Sequence, residues 1–298
     1  MDFNAWRRRR ISEPAYRWAR NAMPPLSATE REAIEAGDTW WEADLFTGNP
    51  DWRKLLDVPA AALTPDEQRF IDGPVAQLCA MLDEWDITWH RRDLPPEVWA
   101  FLKAQRFFGM IIPKRHGGLG FSPYAHSEVV RRISAYSITA GVTVMVPNSL
   151  GPGELLMQFG TQAQRDYWLP RLADGREVPC FGLTSPEAGS DAASMVDTGV
   201  VCRQVVDGRE LIGVRLNWHK RYITLGPVAT VLGLAFKMSD PDGILGGARD
   251  IGISVALVPT DAPGVEIGRR HLPAMQVFQN GPNRGHDVFV PLDALIGG

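Results

Sequence analysis

Cys180-Phe181-Gly182-Leu183-Thr184-Ser185-Pro186-Glu187-Ala188-Gly189-Ser190-Asp191 is the stretch whose reading decides the fold. It opens on a short apolar run of strand type. At Thr184-Ser185-Pro186 the strand signal stops, because Pro has no N–H to give a ladder and fixes its own φ. Ala188-Gly189-Ser190-Asp191 then supplies small residues, a backbone free to take φ > 0, and short polar side chains. A strand ending in hydroxyls and free N–H groups over such a loop can hold a flat polar ring with a phosphate beside it. The plain alternative is a strand followed by a Ser/Pro/Gly turn.

Beyond Val178 the chain is β-rich. Val200-Val201, Val205-Val206, Leu211-Ile212, Val228 to Phe236 and Ile251 to Val258 are short apolar runs, split by turn residues such as Asp207-Gly208 and Asp240-Pro241-Asp242-Gly243. Short strands between turns predict an antiparallel barrel or sandwich over residues 179–298. No helical period interrupts them, so a doubly wound sheet is disfavoured.

Before this stretch the signal is helical. Thr64-Pro65-Asp66-Glu67 is a helix start, with a cap, Pro in the first turn and acids near the positive end of the dipole. Ile71, Val75, Leu78, Leu82 and Trp85 recur at helical spacing, and Gly73-Pro74 predicts a kink among them. Pro95-Pro96-Glu97 opens a second helix ended by Gly109 and Pro113. Ser122-Pro123 opens a long helix to about Ala140, an apolar segment runs from Val142 to Val146, and Leu150 to Phe159 is a further helix. Thr161-Gln162-Ala163-Gln164 is another capping box. The Gly-rich Arg115 to Phe121 segment lacks the third Gly and the βαβ setting of a dinucleotide loop, so it reads as a turn. Residues 64–178 are thus expected to form an antiparallel helical bundle, and the fold class is α+β.

Residues 1–63 read as a Trp-rich extension; eight of the ten Trp precede residue 100, five of them within it. Its indoles are expected to pack on a neighbouring domain rather than stack on a ligand. Ser27-Ala28-Thr29-Glu30 reads as a capping box. Arg7 to Arg10 lack a following apolar stretch, which argues against a secretory signal. They read as a solvated or weakly ordered basic tail, with contact to an anionic membrane face as the sharper alternative.

Composition narrows the function classes. A formal net charge of −4 gives no reason to expect a nucleic-acid partner. No apolar run is long enough to span a membrane. Cys79, Cys180 and Cys202 form no Cys-x-x-Cys pair and fit a reducing, cytoplasmic setting. His90, His116, His126, His219, His271 and His286 show no metal-ligand spacing. There is no Gly-x-Ser-x-Gly elbow.

Lys220-Arg221-Tyr222-Ile223-Thr224 follows the first stretch after another strand-like run. The two together, in this order, resemble the middle domain of the acyl-CoA dehydrogenases. Trp168 to Gly175 and Pro263 to Gly268 also look like that family, in particular its large bacterial fatty-acid β-oxidation branch. The resemblance covers roughly residues 25–298 and implies a helical domain followed by a β domain. It also implies FAD as cofactor, a fatty acyl-CoA of medium to long chain as substrate, an electron-transfer flavoprotein as acceptor and a homo-oligomer. By position, Phe181 and Leu183 match backbone and packing contacts to the isoalloxazine ring. Thr184 matches a hydroxyl on its pyrimidine side. Ser190 matches the residue that meets the pyrophosphate and lies near the acyl-CoA. Tyr222, Ile223 and Thr224 match the tract with the ring-stacking aromatic and the hydroxyl near the reactive ring nitrogen. Two departures stand out: Ser185 where the family usually has Glu, and Tyr222 where it usually has Trp.

The family's reaction removes an α proton with a carboxylate and passes a β hydride to the flavin. In most members that base is a Glu of a C-terminal helical domain, and the sequence stops about where such a domain would begin. Glu154, Glu187 and Asp191 read as early-helix, solvated or capping acids, and none is assigned the role. The expectation is a chain that binds FAD weakly and does not desaturate acyl-CoA alone. The competing readings are a non-catalytic flavin- or acyl-CoA-binding module or partial subunit, and an acyl-CoA oxidase.

Overall fold

The computed structural model describes residues 3–23, 35, 37, 40–149 and 151–298. Contacts divide the chain into two units, Met1–Ala60 and Ala61–Gly298. In the first, Phe3–Arg7, Arg8–Ser12 and Glu13–Ala22 form a continuous run of helical turns. The four arginines are exposed, as a solvated segment would be, but helical rather than weakly ordered. Arg and Ala favour the helix, and Glu13 pairs with Arg17 one turn on at 2.6 Å. Further along, Trp41 packs against Trp52 with ring centroids 5.0 Å apart. The capping box expected at Ser27 to Glu30 lies outside the described residues.

The larger unit begins with α1 (Pro65–Phe70), which runs through a wide turn at Ile71–Val75 into α2 (Ala76–Met81). Pro74 sits in that wide turn, where a missing N–H loosens the ladder as Gly73-Pro74 suggested. Ile71, Val75 and Leu78 are buried, but the apolar face stops there: Leu82 turns to extended backbone and Trp85 is exposed. α3 (Pro96–Ala104) ends before Gly109, because Arg106 takes a left-handed φ of 60°. The long helix expected from Ser122 is two, α4 (Pro123–Ser134) and α5 (Ile138–Met145). Ser137 caps the second by accepting from the Ala140 N–H at 3.2 Å, so a new helix starts where an unbroken one was expected. α5 also takes in the apolar segment read at Val142. α6 (Pro152–Phe159) and α7 (Gln162–Ala173) follow, the latter with the Thr161/Gln164 capping box. Leu150 lies outside the described residues.

Glu67 joins two of these helix starts. It is 3% exposed and accepts from the N–H groups of Thr64 and Ser122, both at 2.7 Å. Burial pushes its carboxyl up, but the backbone and hydroxyl groups of Ser122 and Thr64 outweigh burial and hold it at about 2.

Among the described residues seven strands form one curled sheet: β1 (Pro179–Gly182), β2 (Thr198–Val206), β3 (Arg209–Thr224), β4 (Val231–Ser239), β5 (Asp250–Pro259), β6 (Val265–Ile267) and β7 (Asn280–Pro291). The Asp207-Gly208 turn has positive φ at both residues and closes the β2–β3 hairpin at Val206 and Arg209, as its primed-turn chemistry requires. Not every pair is antiparallel. β1 and β2 both run parallel to β4, beside Val231–Leu234 and Lys237–Ser239 respectively. β5 takes the other edge of β4, and β4 begins at Val231 because Gly226–Val228 is a short turn. The sheet is mixed, and no pairing joins β5 to β6 among the described residues, so it is a half-barrel rather than a closed one. One apolar core runs from Val98, Leu102, Phe107 and Val144 of the helices into Cys180, Val214, Leu234 and Val288 of the sheet. Burial pushes the Cys180 thiol up to about 12, which leaves it an inert packing residue.

Candidate functional site

β1 and β2 share one edge of β4, and between them residues 183–197 leave the sheet. A segment that leaves a ladder must find other partners for its buried backbone groups. β3 supplies them. The Arg221 N–H donates to the Thr184 carbonyl at 3.0 Å, and the Lys220 ammonium donates to the Leu183 carbonyl at 2.9 Å. Ser185 and Ala188 bond each other's backbone, closing the turn at Pro186-Glu187. The two stretches picked out in the sequence thus meet at one end of the sheet.

On β3 the register slips between Lys220 and Ile223. One extra residue bulges there, and Tyr222 takes φ 62°. Such a conformation costs a non-glycine residue about 1–2 kcal/mol, and it turns the Tyr222 ring outward, where it is 55% exposed. Asn280 of β7 holds the bulge, donating to the Tyr222 carbonyl at 3.0 Å and to the Thr224 hydroxyl at 3.2 Å. The Arg221 guanidinium lies 4.7 Å from the Tyr222 ring, and the His271 ring 5.4 Å from it.

The sequence-derived site residues are not placed alike. Thr184, Thr224, Phe181 and Leu183 are half-buried around the junction. Phe181 and Leu183 pack with Ala188, Met195 and Ala235. Ile223 is only 3% exposed and points into the core, so only its backbone faces the rim. Ser190 and Asp191 are exposed on the loop, where Asp191 accepts from the Ser194 hydroxyl. Glu187 is exposed, and Glu154 accepts from Gln158 on α6 at 2.8 Å.

Two groups were missed in the sequence. Lys220 is fully buried on the core face of β3, ion-paired with the equally buried Asp197. Burial pushes the Lys220 ammonium down, against the upward pull of the Asp197 carboxylate. A signal existed: Val214, Leu216, Trp218 and Lys220 alternate inward, and a lysine in an inward register needs a buried partner. The second is a cavity of about 490 Å³ lined by His219, Arg221, Glu266, Arg269, His271 and Arg284 among others. Its one lining carboxylate is outnumbered by arginines, so it favours an anion.

A flavin needs a flat face to lie on and polar groups along one edge. The junction offers one exposed aromatic ring, Tyr222, and polar groups in the half-buried Thr184 and Thr224 hydroxyls and the loop backbone. Beside Thr224, the Asn280 carboxamide oxygen is buried without a partner, an acceptor suited to a ring N–H. The residues present fit the group. Among the described residues no cluster could hold a metal ion.

Comparisons with known proteins agree with this layout. The sequence matches the acyl-CoA dehydrogenase N-terminal domain over residues 66–176 and the acyl-CoA dehydrogenase middle domain over residues 180–281. Probable acyl-CoA dehydrogenase FadE10 of Mycobacterium tuberculosis is 34% identical over 207 residues, 68% of this chain and 30% of that protein. The human mitochondrial very long-chain specific acyl-CoA dehydrogenase is 30% identical over 235 residues, 77% of this chain and 34% of that protein. The chain therefore spans about a third of the length of these curated relatives. Butyryl-CoA dehydrogenase from Megasphaera elsdenii shares the fold with a TM-score of 0.67 at 21% identity, over 80% of this chain and 60% of that one. Helical region, curled sheet and sequence together show that this chain belongs to the acyl-CoA dehydrogenase family, as its N-terminal and middle domains.

Proposed function

We propose that the chain is the flavin-seating part of an FAD-dependent acyl-CoA dehydrogenase acting on medium- to long-chain fatty acyl-CoA. The observation that carries this is the junction of residues 183–185 with 220–224, braced by Asn280. When bound, FAD supplies the acceptor for the hydride that leaves the β carbon. The chain's own residues bind and orient. The Thr184 and Thr224 hydroxyls and the Leu183–Ser185 backbone meet the polar edge of the ring, and Tyr222 covers a face of it. Ser190, exposed on a loop of small residues, meets the pyrophosphate and lies near the acyl-CoA. The arginine-lined cavity beside Tyr222 raises the local concentration of phosphate-bearing molecules, which both FAD and acyl-CoA are. No described carboxylate is assigned as the base for the α proton.

Thr224→Ala is expected to weaken FAD retention more than Ser185→Ala, read as bound-flavin absorbance after gel filtration. Equal losses would count against these roles. Dye reduction by the full protein with acyl-CoAs of increasing length tests the substrate class, and preference for a short chain would refute it. An electron-transfer flavoprotein is the proposed acceptor, checked by replacing the dye with that protein.

The proposal includes a cytoplasmic homo-oligomer that touches an anionic membrane face. No helix among the described residues is long and apolar enough to cross a membrane. The helical run Phe3–Ala22 carries Arg7 to Arg10, Arg17 and Arg20, with Trp18 74% exposed, which supports surface contact. Co-sedimentation with phosphatidylserine vesicles but not with neutral ones is expected, and equal sedimentation with both would end the idea. A monomer by light scattering would end the oligomer.

A further inference from the structure

Lys220, Asp197 and Ser185 come from three separate segments and meet without a water-facing atom to spare. The Lys220 side chain is 0% exposed and that of Asp197 1%. Ser185 is 2% exposed. The ammonium has three donors, and all three are used: on the Leu183 carbonyl at 2.9 Å, on the Ser185 hydroxyl oxygen at 3.2 Å, and on the Asp197 carboxylate. The Ser185 hydroxyl donates its own hydrogen to the same Asp197 oxygen. The other Asp197 oxygen accepts from the His219 N–H at 2.9 Å. The lysine stem runs past Gly182, whose missing side chain leaves it room: a Cβ there would come 3.3 Å from the Lys220 Cγ.

This network touches the backbone that faces the cofactor. Leu183 is held through its carbonyl by Lys220, and Thr184 through its carbonyl by the next N–H along β3. The network also restricts what position 185 can carry. A carboxylate carried there would reach the same ammonium, which the Ser185 oxygen already touches. Two carboxylates against one buried cation would leave one charge uncompensated.

We propose that Lys220, Asp197 and Ser185 form a buried latch that positions Leu183 and Thr184 for the cofactor, Asp197 supplying the one carboxylate that the buried Lys220 ammonium needs. The inference rests on the flavin reading above and deepens it. These are positioning residues: the latch sets where the loop carbonyls and the Thr184 hydroxyl stand against β3.

The test moves the carboxylate. Asp197→Asn, Ser185→Glu and the double variant Ser185→Glu/Asp197→Asn are compared with the unaltered chain for thermal midpoint, FAD dissociation constant and the visible absorption spectrum of the bound flavin. Asp197→Asn is expected to lower the midpoint and weaken FAD binding about tenfold or more, since it leaves Lys220 without a counter-charge. Ser185→Glu crowds two carboxylates and is expected to weaken FAD binding as well. The double variant is expected to recover midpoint, affinity and spectrum together. Ser185→Ala keeps the ion pair and the fold, and is expected to shift the flavin spectrum with a loss of only about threefold.

Failure of the double variant to recover either stability or affinity overturns the latch. Recovery of the midpoint, with flavin affinity and spectrum the same in every variant, overturns the positioning role and leaves only a structural ion pair. An unaltered chain that binds no FAD would fail the cofactor reading itself, and the positioning role with it.

Discussion

Glu67 and Asp197, two buried carboxylates of the larger unit, are stabilised by opposite means. Glu67, among the helices, meets neutral groups, the N–H groups of Thr64 and Ser122. Asp197, beneath the sheet rim, meets a buried cation. The first is nearly local: Thr64 and Glu67 belong to one capping box, and only Ser122 comes from afar. The second needs residues 183–185, 197 and 219–221 to arrive together. Neutral donors make a carboxylate tolerant of changes elsewhere, whereas a buried ion pair fails badly when one partner goes. Glu67 uses the former to fix two helix starts, and Asp197 the latter where a loop leaves the ladder; Asp240, buried after β4, follows Glu67, accepting from the Ile244 and Leu245 N–H groups at 2.9 and 2.7 Å.

The largest effect expected from this contrast is at Lys220. Lys220→Met should destabilise the chain by about 3–5 kcal/mol, because it strands the buried Asp197 carboxylate. Lys220→Met/Asp197→Asn should cost clearly less than the sum of the singles in urea unfolding. Strict additivity would show that the two groups do not act as a pair.

Next is Glu67, whose contribution is pH-dependent. Its folded carboxyl sits at about 2, below the ordinary value of 4.5. A depressed acid contributes stability that is fully present above the unfolded value and lost as pH falls toward the folded one. The difference corresponds to roughly 3 kcal/mol. Unfolding free energy should therefore fall between pH about 5 and about 2, and Glu67→Gln should flatten much of that fall. An unchanged slope in the variant would mean that Glu67 is not held as described.

The smallest is Thr161→Ala, which removes one cap from α7 and should cost about 1 kcal/mol. Gln164, its capping partner, also donates to the Asp293 and Leu295 carbonyls at 2.7 and 2.6 Å. Gln164→Ala should therefore cost more than Thr161→Ala, and the reverse order by thermal unfolding would contradict this geometry.

The contrast also explains what was legible in the sequence. Thr64/Glu67 and Thr161/Gln164 are short-range patterns with a mechanism, and both appear as capping boxes. Asp207-Gly208 announced its hairpin for the same reason. Ser137 was passed over because no Gly or Pro marks the break at α4–α5, although a serine three residues before Ala140 can cap. The parallel placement of β1 and β2 on β4 depends on a loop excursion that no window of sequence records. At the candidate site, Thr184 and Thr224 could be picked out by their motifs. Asn280 and Asp197 could not, since each acts across more than twenty residues of chain.

The central claim is that the 183–185 and 222–224 segments together seat FAD. Equilibrium titration of the chain with FAD, unaltered and as Thr184→Ala/Thr224→Ala, tests it most directly. Saturable binding of one FAD per chain, lost or weakened about a hundredfold in the double variant, is expected when both hydroxyl contacts go. Equal affinity in the two proteins, or no binding by the unaltered chain, would contradict it.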